Sequence, residues 1–335
     1  GSLGFWRLDN NYLRGVNMKV ITFEDIRNLA ISSSQCYEWV SEMIRDKNKT
    51  HLPPKISMHP QEGVFCNVMP CIISEQWGGV KIVNRYPLRR PSLDSKLLLL
   101  DMITGEFLAL MDANWITAMR TGAVAAHSIK LFAKKNFKTV SILGLGNTAR
   151  ATLLILLDIF PDKVFDIKLK KYKGQEILFA DRFKEYKNVN FRYIDTDEEL
   201  IKGSDVVISC VTYFANDLCP DECFDEGVLV VPVHTRGFTN CDLFFDKVYA
   251  DDTGHVCHFG NFDKFRNFAE VCDVVNGNAK GRENDRERIL AYNIGLSIHD
   301  INFAAHIYSY IKNNTSLYEK LANIDMYGPT EKFWI

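Results

Sequence analysis

The front part of the chain carries short runs in which hydrophobic and polar residues alternate, a pattern typical of strands with one buried face. The runs read VFCNVMPCII, GGVKIVNRYP and SKLLLLDMITGEFLALMD, and glycine and proline separate them. A hairpin is predicted at Thr104 and Gly105, inside the third run. Further upstream, one helix is predicted to begin after Thr22, because Asp25 follows three residues later as in a capping box. This half therefore predicts an α+β domain with an antiparallel sheet.

The pattern changes after Ala113, where a long helix rich in small residues, NWITAMRTGAVAAHSIKLFA, is followed by strands and helices in alternation. The strands are continuous runs of Val, Ile and Leu, such as TVSIL and VVISCV, which are typical of a parallel sheet covered on both faces. We predict a Rossmann-type doubly wound domain over residues 133–302. The last helix, SIHDINFAAHIYSYIKN, is predicted to return to the first domain, which then comprises residues 18–132 and 303–335.

Composition and charge argue against several classes of function. The formal net charge of −2 offers no general attraction to nucleic acid or to anionic lipid. No uninterrupted apolar run reaches the roughly 18 residues that a membrane helix needs, and residues 1–17 do not resemble a secretory signal. The nine cysteines form no C-x-x-C pair and show no regular ligand spacing. We therefore predict a reducing, cytoplasmic setting, no metal site, and neither nucleic acid nor membrane as a partner.

A glycine-rich turn joins a predicted strand to a predicted helix in the stretch TVSILGLGNTARATLLILL. Gly144, Gly146 and Ala149 form G-x-G-x-x-A in the order that a dinucleotide site requires. Gly144 would allow the tight turn, Gly146 would let the backbone approach a pyrophosphate, and Ala149 would let the helix pack closely on the strand. Asn147 and Thr148 would meet the phosphates at the start of the helix. The alternative is a tight turn with incidental glycines.

The residue at the end of the next strand decides which dinucleotide binds. An acidic residue there would hold the ribose 2′-hydroxyl, whereas a basic one would accommodate a 2′-phosphate. In VFDIKLKKYKG the strand is predicted to close on Lys170 and Lys171, with Asp166 near its middle. NADP(H) is therefore favoured and NAD(H) remains possible. The alternative is that the two lysines belong to a solvated face.

Further stretches carry motifs of a known family. GGVKIV has a lysine before alternating hydrophobic residues, TGEFLALMD is a hairpin, and AMRTGAVAA is a helix with Arg-Thr-Gly-Ala. With the C-terminal stretch from GREN to AYNIGLSIHDINFAAHIY, they resemble the ornithine cyclodeaminase/mu-crystallin family over nearly the whole chain from Met18. The resemblance implies a homodimer formed through the first domain, with a small amino acid or imino acid substrate between that domain and the cofactor domain.

The resemblance also implies a cationic clamp for the carboxylate of the substrate, next to the carbon that exchanges a hydride. By motif, the clamp corresponds to Lys55, Lys81 and Arg120. Family members usually carry arginine at the position of Lys55, so a point charge replaces a bidentate fork there. The alternative for Lys81 and Arg120 is surface charge, although Arg120 lies among small apolar residues, where an arginine needs a partner.

A second departure from the family concerns the loop HTRGFTNCD. Cyclodeaminases carry an aspartate in this loop that handles the side-chain amine of the substrate, and Arg236 stands near that position here. Because a cation repels an ammonium group, ornithine cyclisation is disfavoured and a substrate with a second carboxylate is attractive. Gly281, Arg282, Glu283 and Asn293 are similar to the closing segment of one branch, a dehydrogenase of 2,3-diaminopropionate biosynthesis that cleaves an N-(2-amino-2-carboxyethyl)-glutamate conjugate.

The predicted reaction is hydride transfer between a nicotinamide and the α carbon of the substrate, through an imine. Lys81 would bind the carboxylate and shuttle a proton, and His234 is a second acid or base, with a structural histidine as the alternative. Asp300 would close the site or cap a helix near the nicotinamide. Thr121, Thr212 and Gly295 complete the predicted cofactor site. A ketimine reductase or alanine-type dehydrogenase is an alternative with a smaller substrate. A mu-crystallin-like protein that binds NADPH and a small ligand is an alternative outside enzymes.

Overall fold

A computed structural model describes residues 17–234 and 241–335, and these residues form two sheets with helices packed against them. The first sheet has seven strands in the order β15-β1-β6-β5-β4-β3-β2. These strands are β1 (Met18–Ile21), β2 (Ile56–Met58), β3 (Phe65–Ile72), β4 (Trp77–Arg85), β5 (Leu93–Asp101), β6 (Phe107–Asp112) and β15 (Ala322–Ile324).

The first sheet is mixed rather than purely antiparallel. β1 pairs with β6 in parallel, while every other pairing in the sheet is antiparallel. The pattern of alternating residues predicted which positions are strands, but it carries no information on the direction of a partner distant in sequence. The hairpin between β5 and β6 is confirmed, and Gly105 adopts a φ of +77° in its turn.

The segment after β1 contains two helices where one was predicted. α1 (Phe23–Arg27) begins with the expected capping box, in which Thr22 and Asp25 bond each other's backbone amides. The chain then leaves the helix, and Ala30 has a left-handed φ of 51°. A second capping box, formed by Ser32 and Gln35, starts α2 (Ser33–Asp46). The hydrophobic pattern therefore did not reveal the break between the two helices, although the N-cap residue Ser32 indicates it.

The second sheet confirms the predicted doubly wound fold. Its eight strands are all parallel, in the order β13-β12-β14-β11-β10-β7-β8-β9. The strands are β7 (Thr139–Leu143), β8 (Phe165–Lys170), β9 (Val189–Ile194), β10 (Val206–Ser209), β11 (Leu229–Pro232), β12 (Lys247–Ala250), β13 (Ala269–Glu270) and β14 (Ile289–Tyr292). The strand order reverses between β7 and β10, which is where such sheets bind ligands at their carboxyl edge.

Two long helices connect the sheets. α3 (Asn114–Phe132) leads from the first sheet into the second, and α10 (Ser297–Asn313) packs against β3, β4 and α2. The predicted return of the last long helix to the first sheet is therefore found. This helix begins at Ser297, inside the range 133–302 that was predicted for the dinucleotide-binding domain. The chain therefore returns to the first sheet a few residues earlier than predicted.

The remaining helices are shorter or cover the second sheet. They are α4 (Asn147–Ile159), α5 (Gln175–Asp181), α6 (Asp197–Ile201), α7 (Cys241–Phe244), α8 (Thr253–Val256), α9 (Val271–Val275) and α11 (Thr315–Lys320). Within the described ranges, we find no helix whose length and apolar character would let it cross a membrane.

Candidate functional site

A cleft of about 230 Å³ lies between the inner face of the first sheet and the carboxyl edge of the second. One wall comes from β3, β4 and β5, and the other from the ends of β10, β11 and β14 together with α3 and α4. Alternation places Lys81 and Val83 of β4 on the inner face, since both are buried and Ile82 between them is exposed. The residues lining the cleft are Lys55, Phe65, Asn67, Met69, Lys81, Val83, Arg85, Leu93, Thr117, Arg120, Thr148, Cys210, Thr212, Val233, His234 and Ile294.

Two fully buried cations share one carboxylate at the closed end of this cleft. The Nζ of Lys81 donates to Asp300 Oδ1 at 2.7 Å and to Thr117 Oγ1 at 3.1 Å. The Nε of Arg120 donates to the same Asp300 oxygen at 2.9 Å. The other oxygen of Asp300 has no hydrogen-bond partner among the described residues. The three charges come from β4, α3 and α10, so the crossing of these elements fixes the geometry.

Burial and neighbouring charges shift the pKa values of this group. Burial alone would raise the pKa of Asp300, but the positive charges of Arg120 and Lys81 lower it below its ordinary value. The pKa of Lys81 falls to about 7, because burial and the charge of Arg120 outweigh the stabilising carboxylate of Asp300. Lys81 can therefore change its charge near neutral pH, which an exposed lysine cannot do.

His234 lies on the opposite wall, in a backbone conformation that side chains rarely adopt, with a φ of 59°. Its Nδ1 is 2.6 Å from the carbonyl oxygen of Ile294, so this nitrogen carries the hydrogen and donates. Burial and the charges of Arg120 and Lys55 lower the pKa of His234 to about 3. The imidazole is therefore neutral at physiological pH, and its Nε2 offers a lone pair to a ligand.

Gly295 fits tightly between two of the predicted site residues. A Cβ atom there would lie 2.8 Å from Arg120 Nη1 and 2.9 Å from His234 Cε1, and its φ of +111° also favours glycine. The amide of Gly295 donates to buried Asp251 Oδ2 at 2.7 Å. Although burial would raise the pKa of Asp251, the imidazole of His255, whose Nδ1 lies 3.5 Å from Oδ1, and the hydrogen bond from Gly295 bring it down to about 2. Gly295 was predicted to bind cofactor, and the structure places it against Arg120 and His234.

The glycine turn has the geometry that its sequence predicts. Gly144 has a φ of +79°, and a Cβ there would lie 3.0 Å from the backbone of Cys210. Gly146 ends the turn at the first residue before α4, and a Cβ there would meet no protein atom within 4 Å. Ala149 is fully buried. The chain therefore borders open space at Gly146, directly before α4, as a pyrophosphate would need.

Thr121 lies on α3, which packs directly against α4. A Cβ on Gly122 would lie 2.7 Å from the backbone of Ala151 and Thr152, so the two helices are in direct backbone contact. The buried hydroxyl of Thr121 has no hydrogen-bond partner among the described residues. A buried hydroxyl without a partner is costly, which fits a residue that bonds a ligand. Thr121 is not among the residues that line the cleft, so its predicted contact with the cofactor stays a prediction.

Lys170 and Lys171 lie at the strand end where they were predicted, since β8 ends at Lys170. Each is paired with an aspartate that follows β9. Lys170 binds Asp197, and the Nζ of Lys171 lies 3.0 Å from Asp195 Oδ1. Asp166, the acidic alternative, lies near the start of β8 and pairs with Arg192. The chain therefore presents lysines rather than an acid at the end of β8.

The remaining predicted residues are only partly brought together. Lys55, Thr148 and Thr212 line the cleft, whereas Arg236 lies outside the described residues. Arg282 and Glu283, from the closing motif, do not line the cleft. Arg282 donates to four backbone carbonyls and Glu283 pairs with Lys247, so both hold the chain in place.

Among the described residues, one group of side chains has potential metal-ligand atoms close enough together to hold an ion: Glu270, Cys272 and Asp273. Glu270 already accepts from the Nζ of Lys47 at 2.9 Å and from the amide of Thr253 at 2.7 Å. This carboxylate is therefore engaged by a cation, and nothing further in the group points to an ion.

Several residues of the cleft were missed by reasoning on the sequence. Thr117 lies one helical turn before Arg120, and Arg85 lies four residues after Lys81 on the same strand. Both could have been found from the periods of a helix and of a strand. Asn67 gave no such signal, because its position depends on contacts between segments distant in the chain. The same holds for Asp251, which lies outside the cleft and accepts from the amide of Gly295.

Known proteins of similar sequence indicate the family of this chain. A sequence model of the ornithine cyclodeaminase/mu-crystallin family matches residues 16–315. The N-((2S)-2-amino-2-carboxyethyl)-L-glutamate dehydrogenase of Staphylococcus aureus is 28% identical over 77% of this chain and 83% of its own length.

The solved structures that share the fold include the following two. One is the Thermococcus litoralis Δ(1)-pyrroline-2-carboxylate reductase in complex with NADH and L-proline, with a TM-score of 0.79, 22% identity, and coverage of 92% of this chain and 100% of the other. The second is an archaeal alanine dehydrogenase dimer with bound NAD, with a TM-score of 0.81, 22% identity, and coverage of 92% and 99%. The predicted fold and class of enzyme, an oxidoreductase of amino or imino acids, agree with these relatives. The chain belongs to the ornithine cyclodeaminase/mu-crystallin family.

Proposed function

We propose that the protein is a nicotinamide-dependent oxidoreductase that converts an α-amino acid into the corresponding imine and back, so that the C–N single bond becomes a double bond and is reduced again. The observation that carries this proposal is the buried pair of cations, Lys81 and Arg120, at the closed end of a cleft whose other wall includes the glycine turn. Cations placed there would hold a carboxylate, and the neighbouring α carbon would then face the cofactor side of the cleft.

The residues of the turn fit a dinucleotide. The open space beside Gly146 and the unpartnered hydroxyl of Thr121 would receive the pyrophosphate, and Asn147 and Thr148 would cover it from the start of α4. Thr212 at the end of β10 would border the nicotinamide. When bound, the cofactor supplies or accepts the hydride.

The clamp would be preorganised by Asp300. This carboxylate binds both Lys81 and Arg120 and leaves the trio with one net positive charge when Lys81 is protonated. Lys55 adds a further cation along the same cleft. A substrate carboxylate would therefore meet fixed donors in a site shielded from water, where charge-assisted hydrogen bonds are strong.

Lys81 is also the best candidate to move the proton. Oxidation removes a hydride from the α carbon and a proton from the nitrogen, and the resulting imine can be hydrolysed by water; reduction is the reverse. A group with a pKa of about 7 can take up or give this proton near neutral pH. His234, whose pKa is lowered to about 3, would instead accept a hydrogen bond from the substrate.

The lysines at the end of β8 favour NADP(H). A 2′-phosphate would meet Lys170 and Lys171, and no carboxylate lies at the end of β8 itself to hold a 2′-hydroxyl. The partners of these lysines, Asp197 and Asp195, reduce the local positive charge. The preference for NADP(H) over NAD(H) is therefore expected to be moderate rather than absolute.

The outer face of the first sheet favours a homodimer. Ile82 on β4 and Phe107 and Leu110 on β6 are exposed by 44%, 53% and 36%, and these two strands flank β5. An exposed apolar patch of this kind usually marks an interface. A dimer in light scattering is expected, and Phe107→Lys is expected to shift it towards monomer; a monomeric wild-type protein would contradict this part of the proposal.

The test of the proposal is a panel of amino acids and of oxo acids with amines, measured by cofactor absorbance with NADP(H) and with NAD(H). Turnover is expected, and Lys81→Met should reduce kcat/KM by about a thousandfold, because it removes both a carboxylate contact and a proton carrier. Tight cofactor binding without turnover of any member would contradict an enzymatic role and favour a binding protein.

A further inference from the structure

We infer that Arg85 binds a second carboxylate at the open end of the cleft, so that the substrate is a dicarboxylic amino or imino acid. This inference rests on the proposed function, in which Lys81 and Arg120 hold the first carboxylate. It assigns a specificity role to a side chain that none of the motifs pointed to.

The strand geometry places Arg85 on the same wall as Lys81. Lys81, Val83 and Arg85 alternate along β4 and all line the cleft. Four residues of strand separate the backbones of Lys81 and Arg85 by about 13 Å. The pairing of β4 with β3 and β5 sets Arg85 opposite Phe65 and Leu93, which also line the cleft. The wall therefore carries a cation at each end, with an apolar stretch between them.

Arg85 keeps hydrogen-bonding capacity that the described residues do not use. Its Nη1 donates to the carbonyl oxygen of Gly63 at 3.1 Å, and no ion pair to Arg85 is found within residues 17–234 and 241–335. Arg89 offers a contrast nearby, since it donates to Pro91 O, Asn84 Oδ1 and Ser92 O. Arg89 is thus a structural residue of its loop, whereas Arg85 retains donors for a ligand.

The character of the cleft between its two ends fits an extended anion. The described residues that line it include four cations, Lys55, Lys81, Arg85 and Arg120, and no acid. Asp300, which binds Lys81 and Arg120 from behind the lining, offsets only one of these charges. The amide of Asn67 lies between the two ends, and Ser57 Oγ donates to its Oδ1 at 2.7 Å, which leaves its NH₂ group as a donor. Such a set attracts a ligand with more than one negative charge and repels a substrate with an ammonium tail.

The test compares 2-oxoglutarate with 2-oxopentanoate, which has the same five-carbon chain without the distal carboxylate. Both are titrated calorimetrically into protein saturated with oxidised cofactor, so that no turnover occurs. The wild-type protein is expected to prefer 2-oxoglutarate. Arg85→Gln should reduce this preference by about tenfold or more, as expected for the loss of a charge-assisted hydrogen bond.

Two further variants serve as controls. Arg85→Lys retains the charge but not the planar fork and should reduce the preference by less than Arg85→Gln. Arg27→Gln removes an exposed arginine on α1 and should leave the preference as in the wild type. An unchanged preference in Arg85→Gln, or a wild-type protein that binds both ligands equally, would overturn the inference alone. A wild-type protein that binds neither ligand would overturn the proposed function and the inference together.

Discussion

The closed end of the cleft and the carboxyl end of β8 use positive charge in different ways. In the cleft, Lys81, Arg120 and Asp300 are all buried and share one set of bonds. At the end of β8, Lys171 and Asp195 form an ion pair whose side chains are 48% and 71% exposed. Burying the three charges of the first group costs free energy and fixes their positions, whereas water screens the exposed ion pair and its side chains can move. We therefore expect substrate recognition to depend on a rigid buried group, and the choice of cofactor to depend on a weak, exposed interaction.

The largest difference between the two ends is expected in stability. Asp300→Asn leaves two cations buried without a carboxylate and should lower the free energy of unfolding by about 3 kcal/mol or more. The matched variant Asp195→Asn removes an exposed partner of Lys171 and should cost less than about 1 kcal/mol. Urea denaturation measures both. Equal losses in the two variants would show that burial does not distinguish the ends.

A smaller effect, confined to binding, is expected at the glycine turn. Gly146→Ala adds a methyl group where no protein atom lies within 4 Å, so the fold should tolerate it. The same methyl group would occupy the space of a phosphate and should weaken cofactor binding by about tenfold, or about 1.4 kcal/mol. Gly260→Ala, which also meets no atom within 4 Å, is the control. Unfolding midpoints and fluorescence titrations with NADPH check both; a destabilised fold with normal cofactor affinity would contradict this reading of the turn.

The smallest effect is expected at Lys171. Because its ion pair is exposed, Lys171→Gln should lower the ratio of NADPH to NADH affinity by only about threefold. The ratio should also fall with rising salt concentration in the wild-type protein. Lys187→Gln, at an exposed lysine outside β8, should leave it unchanged. A wild-type protein that binds NADH more tightly than NADPH would refute the preference outright.

Local chemistry made much of the fold predictable. The continuous runs of Val and Ile gave the parallel strands, the glycine turn lies between β7 and α4 as expected, and the capping box at Thr22 is present. The direction of β1 against β6 and the break before Ser32 were not foreseen. The direction of β1 depends on a partner strand whose paired residues are 90 positions away, as Lys19 and Ala109 are, and the break depends on a second cap at Ser32.

The site was predictable where a motif carried it and not where distant segments meet. The structure brings Lys81 and Arg120 into one cleft with Lys55, and their role as a carboxylate clamp stays a prediction. The role of Asp300 as their common partner was not predicted, because it is 219 residues from Lys81 in sequence. The same holds for Asp195 and Asp197 beside the lysines of β8. Electrostatic partners of this kind are set by tertiary contacts that no local pattern records.

The pH dependence of carboxylate binding tests the central claim most directly. Protonated Lys81 binds an anion better than neutral Lys81, and its pKa of about 7 means that the proton must be taken up on binding above this pH. The dissociation constant of 2-oxoglutarate for protein saturated with oxidised cofactor should therefore be flat at pH 6 and rise above pH 7, by up to tenfold per unit. Asp300 and His234 have lowered pKa values, that of His234 about 3, and do not account for a change there.

In Lys81→Arg, which stays charged throughout this range, the rise should disappear. A constant dissociation constant in the wild-type protein from pH 6 to pH 9, or the same rise in Lys81→Arg, would contradict the assignment of Lys81 as the buried cation that holds the substrate.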